Sequence, residues 1–223
     1  MTTVNAGRIL LGSLASVVEQ RAPLFRALTL PLVLLVVVGL VQQPEQSAAT
    51  MLLFGLVSLL LHTWFAITTH RIVLMGESAV PRWGLNRWTL RETRFTVFAV
   101  ALFSGGLMLG LLVAIIPVIG PVLFVALAIV GVSCLSLVFP AIAVDDPISF
   151  TAAWEMAQGY IFTLIICVCV FPVVLSLPLL ALSTLAGTGP VVALLQGMVT
   201  ILTVTALSLA YSEIKRERGQ HPS

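Results

Sequence analysis

Charge is what this chain has least of: 9% of its 223 residues are charged, against about 25% in a soluble domain. Fifty consecutive positions, Phe95 to Val144, carry no charged side chain at all. A formal net charge of +2 is too small to argue for a nucleic-acid partner, and none is expected. The three cysteines, Cys134, Cys167 and Cys169, all lie in apolar runs. They form no disulfide framework of the secreted kind. Two residues apart on a helix is about 200° of rotation, so Cys167 and Cys169 cannot hold one metal ion from one helix. They read as packing residues. A cleaved signal peptide also fails, because the apolar stretch after Arg8 ends at Leu11 and a secretory core needs about 7–15 apolar residues.

Catalytic patterns are missing as well. There is no His-Glu-x-x-His zinc motif, no Gly-x-Ser-x-Gly nucleophile elbow and no phosphate-binding glycine loop. No apolar segment contains Asp or Glu, so a carboxylate site for proton or sodium coupling is not expected. Ser104 lies in an apolar segment with no base nearby. Asp145 and Asp146 are the only close acidic pair. Adjacent residues diverge by about 100° on a helix, so they suit helix capping better than an acid–base dyad. No metal, cofactor or enzymatic activity is expected.

Hydrophobicity is what remains, at 59% of the residues, and it is divided by basic clusters. All eleven Lys and Arg fall in three groups: Arg8, Arg21, Arg26; Arg71, Arg82, Arg87, Arg91, Arg94; and Lys215, Arg216, Arg218. Basic residues beside membrane spans stay on the cytoplasmic side. Clusters on one side require an even number of spans between them, and hydropathy supplies that number. The chain reads as one integral membrane domain, residues 1–223, with spans at about 24–41, 50–69, 95–116, 121–143, 160–182 and 191–211. The fold class is all-α, a polytopic membrane helical bundle of six transmembrane helices plus two interfacial amphipathic helices. Both termini are placed in the cytoplasm.

The turns are legible in the same way. Residues 95–143 would make one helix of roughly 75 Å, far beyond a hydrocarbon core of about 30 Å. Pro117 to Pro121 must therefore fold it into a hairpin. Gly106 and Gly110 form a small-xxx-small pair that suits close helix approach. Pro172 and Pro178 predict a kinked fifth span. Residues 4–20 place Leu10, Leu11, Leu14, Val17 and Val18 on one stripe, which predicts a helix lying in the membrane interface. Residues 148–158 predict a second one, with Asp146 as N-cap, Pro147 at the first helical position and Trp154 as anchor. Interfacial helix plus hairpin occurs twice, at 4–68 and 148–211, as in a parallel repeat.

Two groups of polar residues stand out. His62 is the one ionisable residue deep within a span, an intramembrane polar site by default. His70, Arg71 and Glu77, with Arg82, Arg87 and Arg91, form a candidate contact for lipid headgroups or a protein partner. Arg71 can meet a phosphate or cap the last carbonyls of span two. Gly76 can end that helix, and Glu77 can pair with an Arg of the same loop.

The segment His70-Arg71-Ile72-Val73-Leu74-Met75-Gly76-Glu77, and the segment Pro140 to Asp145 followed by Ser149-Phe150 and Ala153-Trp154, resemble the YciC-like bacterial integral membrane proteins. That group has relatives in the membrane domain attached to some glycerophosphodiester phosphodiesterases. The resemblance covers about residues 4–213. It implies a polytopic protein of the bacterial inner membrane without an assigned activity. No soluble phosphodiesterase domain is present, so no hydrolase activity carries over. The expected role is non-enzymatic: membrane organisation, or binding of membrane lipids, a membrane-protein partner or a second copy. The alternative is a transporter or channel component for a lipid-like or weakly polar substrate. Such a transporter would line a mid-membrane cavity with His62, Ser133, Ser136, Thr163 or Ser176.

Overall fold

A computed structural model of the chain describes residues 4–41, 47–81, 83, 87–116, 119–146, 148–185 and 189–220. Ten α-helices contain nearly all of them, and no strand occurs among the described residues. In chain order these are α1 (Ala6–Glu19), α2 (Arg21–Val41), α3 (Ala48–Met75), α4 (Leu90–Val113), α5 (Ile119–Leu135), α6 (Val138–Ala143), α7 (Phe150–Ala157), α8 (Ile161–Ile165), α9 (Phe171–Ser183) and α10 (Gly189–Gln220). Six segments are long and apolar enough to cross a membrane: Arg21–Val41, Ala48–Met75, Leu90–Val113, Ile119–Ala143, Ile161–Ser183 and Gly189–Gly219. The chain is a multi-pass membrane protein with an all-helical bundle fold, and the six segments coincide with the six expected spans.

Proline explains where the longer spans break. Pro140 cannot donate to Ser136, so the fourth span turns at Ser136–Leu137 and resumes as α6. The Ser136 hydroxyl donates to the Ser133 carbonyl at 2.9 Å at that break. In the fifth span Pro172 is preceded by one π-helical turn, Ile166–Val170, which absorbs the bond the proline cannot make. The fourth and fifth segments are joined through α7. The expected cap at Asp146 is corrected: Ser149 caps α7, accepting from the Ala152 amide at 3.1 Å. Pro147 lies outside the described residues.

Two helices overrun the bilayer. α3 has 28 residues and α10 has 32, roughly 42 and 48 Å against a core of about 30 Å. Counted from the ends away from the basic clusters, about 20 residues fill the core. The overrun therefore begins near Thr69 and near Ala210, and it carries His70, Arg71, Tyr211 and Lys215. Packing is densest at this end, where Leu137, Ala141, Ala143, Ala153, Ala157, Cys167, Ala206, Ala210 and Ile214 are all fully buried. The opposite half is looser, with Leu52, Phe103, Ile115 and Val122 turned outward.

α1 packs on the bundle by one face only. Its buried residues are Ile9 and Ser13, and a Cβ on Gly12 would touch Leu209 of α10 at 3.4 Å. The small-residue face thus packs on α10. The predicted apolar stripe is largely exposed at Leu11, Leu14 and Val18. Period alone finds an apolar face but cannot say whether protein or lipid covers it; small residues win the protein contact because they let backbones approach.

Candidate functional site

The charged groups gather in one layer at the overrunning end, and most of that layer is bonded to itself. Asp145 stands at its centre, with a left-handed backbone (φ 60°). It accepts from Arg71 Nη1 of α3 at 3.1 Å and from Arg91 Nη1 of α4 at 3.0 Å. Arg71 also donates Nε to the Ala79 carbonyl at 3.1 Å and Nη1 to the Ala143 carbonyl at 2.9 Å. It therefore caps the end of α6 and ties down the chain after α3. Capping of the last carbonyls of its own helix, expected from the sequence, is not what it does.

Arg91 donates Nε to Glu92 Oε1 at 3.1 Å. Glu92 is fully buried and completes a capping box with Thr89, whose amide donates to Glu92 Oε2 at 2.8 Å. One residue along, Asp146 accepts from Tyr211 Oη at 2.9 Å and from Lys215 Nζ, both on α10. Adjacent carboxylates thus serve different helices, Asp145 joining α3 to α4 and Asp146 reaching α10. Arg8 of α1 pairs with Glu213 at 3.1 Å. Arg218 donates to the Glu155 and Gln158 carbonyls at the end of α7.

The Lys215 ammonium, and then the Tyr211 hydroxyl, hold the Asp146 carboxyl below the usual carboxylate range. A carboxyl with a depressed folded pKa contributes stability above its unfolded value and loses it as pH falls through the folded value. Thermal stability in detergent is therefore expected to fall below about pH 4, the ordinary Asp range. Asp146→Asn is expected to make that acid limb shallower. An acid limb of equal steepness in the variant would refute the pairing.

The expected contact residues end in different places. His70 is 1% exposed, and its Nδ1 bonds Ser208 Oγ of α10 at 2.7 Å. It joins helices inside the bundle, and burial takes it away from any headgroup. Arg71 and Arg91 meet at Asp145. Glu77 is exposed at the start of a 3-10 turn and lines a ≈300 Å3 cleft with Pro23, Arg26 and Pro81. Among the described residues no ion pair includes it. Arg87 is exposed before α4, and Arg82 lies outside the described residues. Trp88 donates Nε1 to Thr93 Oγ1 at 2.9 Å and meets Trp64 edge-on at 5.2 Å.

Five arginines keep outward-facing side chains: Arg21, Arg26, Arg87, Arg94 and Arg216. None has a carboxylate partner among the described residues. They form a basic rim around the bonded layer. Arg94 and Arg91 border a ≈350 Å3 cleft with Thr89 and Asp145.

His62 is placed within the hydrocarbon depth, 14 residues or about 21 Å along α3 from Ala48. Its Nδ1 meets the Ser58 carbonyl at 2.7 Å. A carbonyl can only accept, so Nδ1 carries a proton. His62 lines a ≈250 Å3 cavity with Ser58, Gln196 and Thr200. Ser133, Ser136, Thr163 and Ser176 are not among that cavity's lining residues. Ser133 and Ser136 are buried, with Ser133 beside Cys169 Sγ at 3.4 Å. Thr163 donates to the Val4 carbonyl at 3.2 Å. Ser176 reaches Gln196 Oε1 at 3.5 Å. Gln196 and Thr200 were missed in the sequence, although their spacing of four puts them on one face of the sixth span. Among the described residues no group of three or more His, Cys, Asp or Glu could hold a metal ion.

No known family, curated protein or solved structure matches the chain.

Proposed function

We propose that this chain is a non-enzymatic membrane protein that binds anionic membrane lipids at its arginine-bearing end. The observation that carries the reading is the division of the basic residues. Arg8, Arg71, Arg91, Lys215 and Arg218 are taken up in bonds within the bundle. Arg26, Arg87, Arg94 and Arg216 remain exposed where the helices leave the hydrocarbon, and Arg21 is exposed there with one donor spent on the Val18 carbonyl. Guanidinium groups at that depth face lipid phosphates, and each basic residue near an anionic surface contributes about 1 kcal/mol. The positive-inside rule then puts this end, with both termini, in the cytoplasm. A bacterial inner membrane is the setting that the YciC-like resemblance adds.

Lipid retention through purification tests the proposal. The protein, extracted in mild detergent, is expected to carry phosphatidylglycerol or another anionic lipid well above its share in the source membrane. Neutralising Arg26, Arg87, Arg94 and Arg216 together to Gln is expected to reduce that enrichment without lowering the melting temperature. Lipid in the same proportions as the source membrane would reject the reading.

The cavity at His62 favours a second reading, a transporter for a weakly polar solute. The free Nε2 edge of its ring and the Gln196 amide present polar groups at membrane depth. Solute flux in proteoliposomes that His62→Leu abolishes would establish it over the first.

A further inference from the structure

The face of the bundle between α1, α2 and α10 bears a groove of ≈570 Å3, within the roughly 300–1,000 Å3 of ligand sites. Val17, Phe25, Leu28, Val33 and Met198 line it, and Arg21 is its only charged lining residue.

From Arg21 to Val33 is 12 residues of α2, about 18 Å. Half of a 30 Å hydrocarbon core is about 15 Å. α2 itself spans roughly the whole core, so Arg21 stands at the boundary and the α2 wall of the groove ends just past the mid-plane, while its α10 wall reaches on to Leu194. The groove is somewhat more than one monolayer deep.

Spread over that length, the volume gives a channel about 6–9 Å wide. A helix with its side chains needs about 10–12 Å, so another span would rest on the groove without filling it. An extended hydrocarbon chain fits inside. The back of the channel is closed by the approach of α2 to α10, where a Cβ on Gly197 would come within 2.5 Å of Leu32 Cδ1.

Arg21 spends one Nη1 donor on the Val18 carbonyl at 3.0 Å. That bond fixes the guanidinium at the mouth and leaves the rest of a five-donor fork for a planar or tetrahedral anion. The one hydroxyl in the lining, Thr29, donates to its own helix at Phe25, so the wall demands no polar partner from the occupant.

We propose that this groove is a site for one phospholipid of the arginine-side leaflet: an acyl chain lies along α2 and α10, and Arg21 holds the phosphate of an anionic headgroup. The proposal rests on the lipid-binding reading above and names a site for it. Arg21 is the cation that the retention experiment above leaves intact.

Native mass spectrometry of the delipidated full-length chain decides it, titrating phosphatidylglycerol, phosphatidylcholine of the same chains, and glycerol phosphate. One phosphatidylglycerol is expected to bind about tenfold more tightly than phosphatidylcholine, because both offer Arg21 a phosphate but only phosphatidylcholine brings a choline cation up against the guanidinium. Glycerol phosphate, with no chain to bury, is expected not to bind. Arg21→Gln is expected to remove the tenfold preference. Leu28→Trp and Met198→Trp, which fill the channel from opposite walls, are expected to weaken both lipids. Phe103→Trp, on outward-facing α4, serves as the control and is expected to change nothing. Phosphatidylglycerol binding unchanged in Arg21→Gln and in whichever channel-filling variant folds would overturn the site while leaving the lipid-binding reading in place. A wild-type chain with no preference for phosphatidylglycerol over phosphatidylcholine would overturn both. Binding of glycerol phosphate as tight as the lipid would overturn the acyl-chain part and leave only a phosphate site.

Discussion

Gly120→Ala is expected to destabilise the protein by about 2–3 kcal/mol or more, one of the two largest effects of any single substitution considered. The reason lies in how the third and fourth spans meet. The residues after α4 must reverse within a few positions, and the Gly120 amide closes that turn on the Ile116 carbonyl at 2.9 Å. A Cβ on Gly120 would stand 2.2 Å from the Val113 carbonyl oxygen and 3.2 Å from its carbon. Those atoms are backbone and cannot rotate away. Either the hairpin opens or α4 and α5 separate. The same two helices provide the controls. A Cβ on Gly106 meets nothing within 4 Å, so Gly106→Ala is expected to be neutral or to stabilise by up to about 1 kcal/mol through helix propensity. Gly110→Ala meets the edge of the Phe124 ring at 3.2 Å, which can yield slightly, and should fall between. Unfolding titrations with SDS, followed by tryptophan fluorescence, rank the three. Equal stability of Gly120→Ala and Gly106→Ala would mean that the hairpin is not built this way.

That series also shows what a sequence can and cannot disclose. The number and order of spans were legible because membrane insertion depends on averages, namely twenty apolar residues and the placement of basic ones. The hairpin at Gly120 was legible because one long apolar run cannot fit the bilayer. Of the Gly106/Gly110 pair only Gly110 touches the neighbouring helix; the spacing identifies a face, and only the crossing point decides which member meets it. The bonded layer was hidden for a different reason. Asp145 and Asp146 have no signature beyond adjacency, and their partners lie 54 to 74 residues away in sequence. Yet a hint existed. In a chain this poor in acids, two consecutive carboxylates at the end where basic residues collect are more economically read as partners of those basic residues than as a cap. His70 and Arg71 show the same limit from the other side. They share a polar segment and were read as one motif, but consecutive residues on a helix point about 100° apart. One enters the bundle to reach Ser208, and the other reaches the end of α6.

Arg71→Leu is expected to cost about 2–3 kcal/mol and to leave lipid enrichment unchanged. The side chain is only 11% exposed, and its guanidinium serves three acceptors from two parts of the chain, Ala79 and the Ala143–Asp145 segment. The ion pair with Asp145 contributes the least of these, since that carboxylate is 58% exposed and screened pairs bring under about 1 kcal/mol. The bonds to the Ala79 and Ala143 carbonyls matter more. Both acceptors are backbone groups at chain reversals, and hydrogen bonds to a charged donor contribute roughly 1.5–3 kcal/mol. Arg71→Lys keeps the charge but has a single donor centre and no planar fork. It cannot span Ala79 and Ala143 together, so it should recover only part of the loss. Arg94→Gln is the informative contrast. Arg94 is exposed with no carboxylate partner among the described residues, so that variant should keep its stability and lose lipid. The two arginines therefore separate scaffold from surface within one basic cluster. Melting curves and lipid analysis on the same preparations read both axes at once. If Arg71→Leu shed anionic lipid at unchanged stability, the clamp would be the wrong account of Arg71, and the headgroup contact expected from sequence would be the right one.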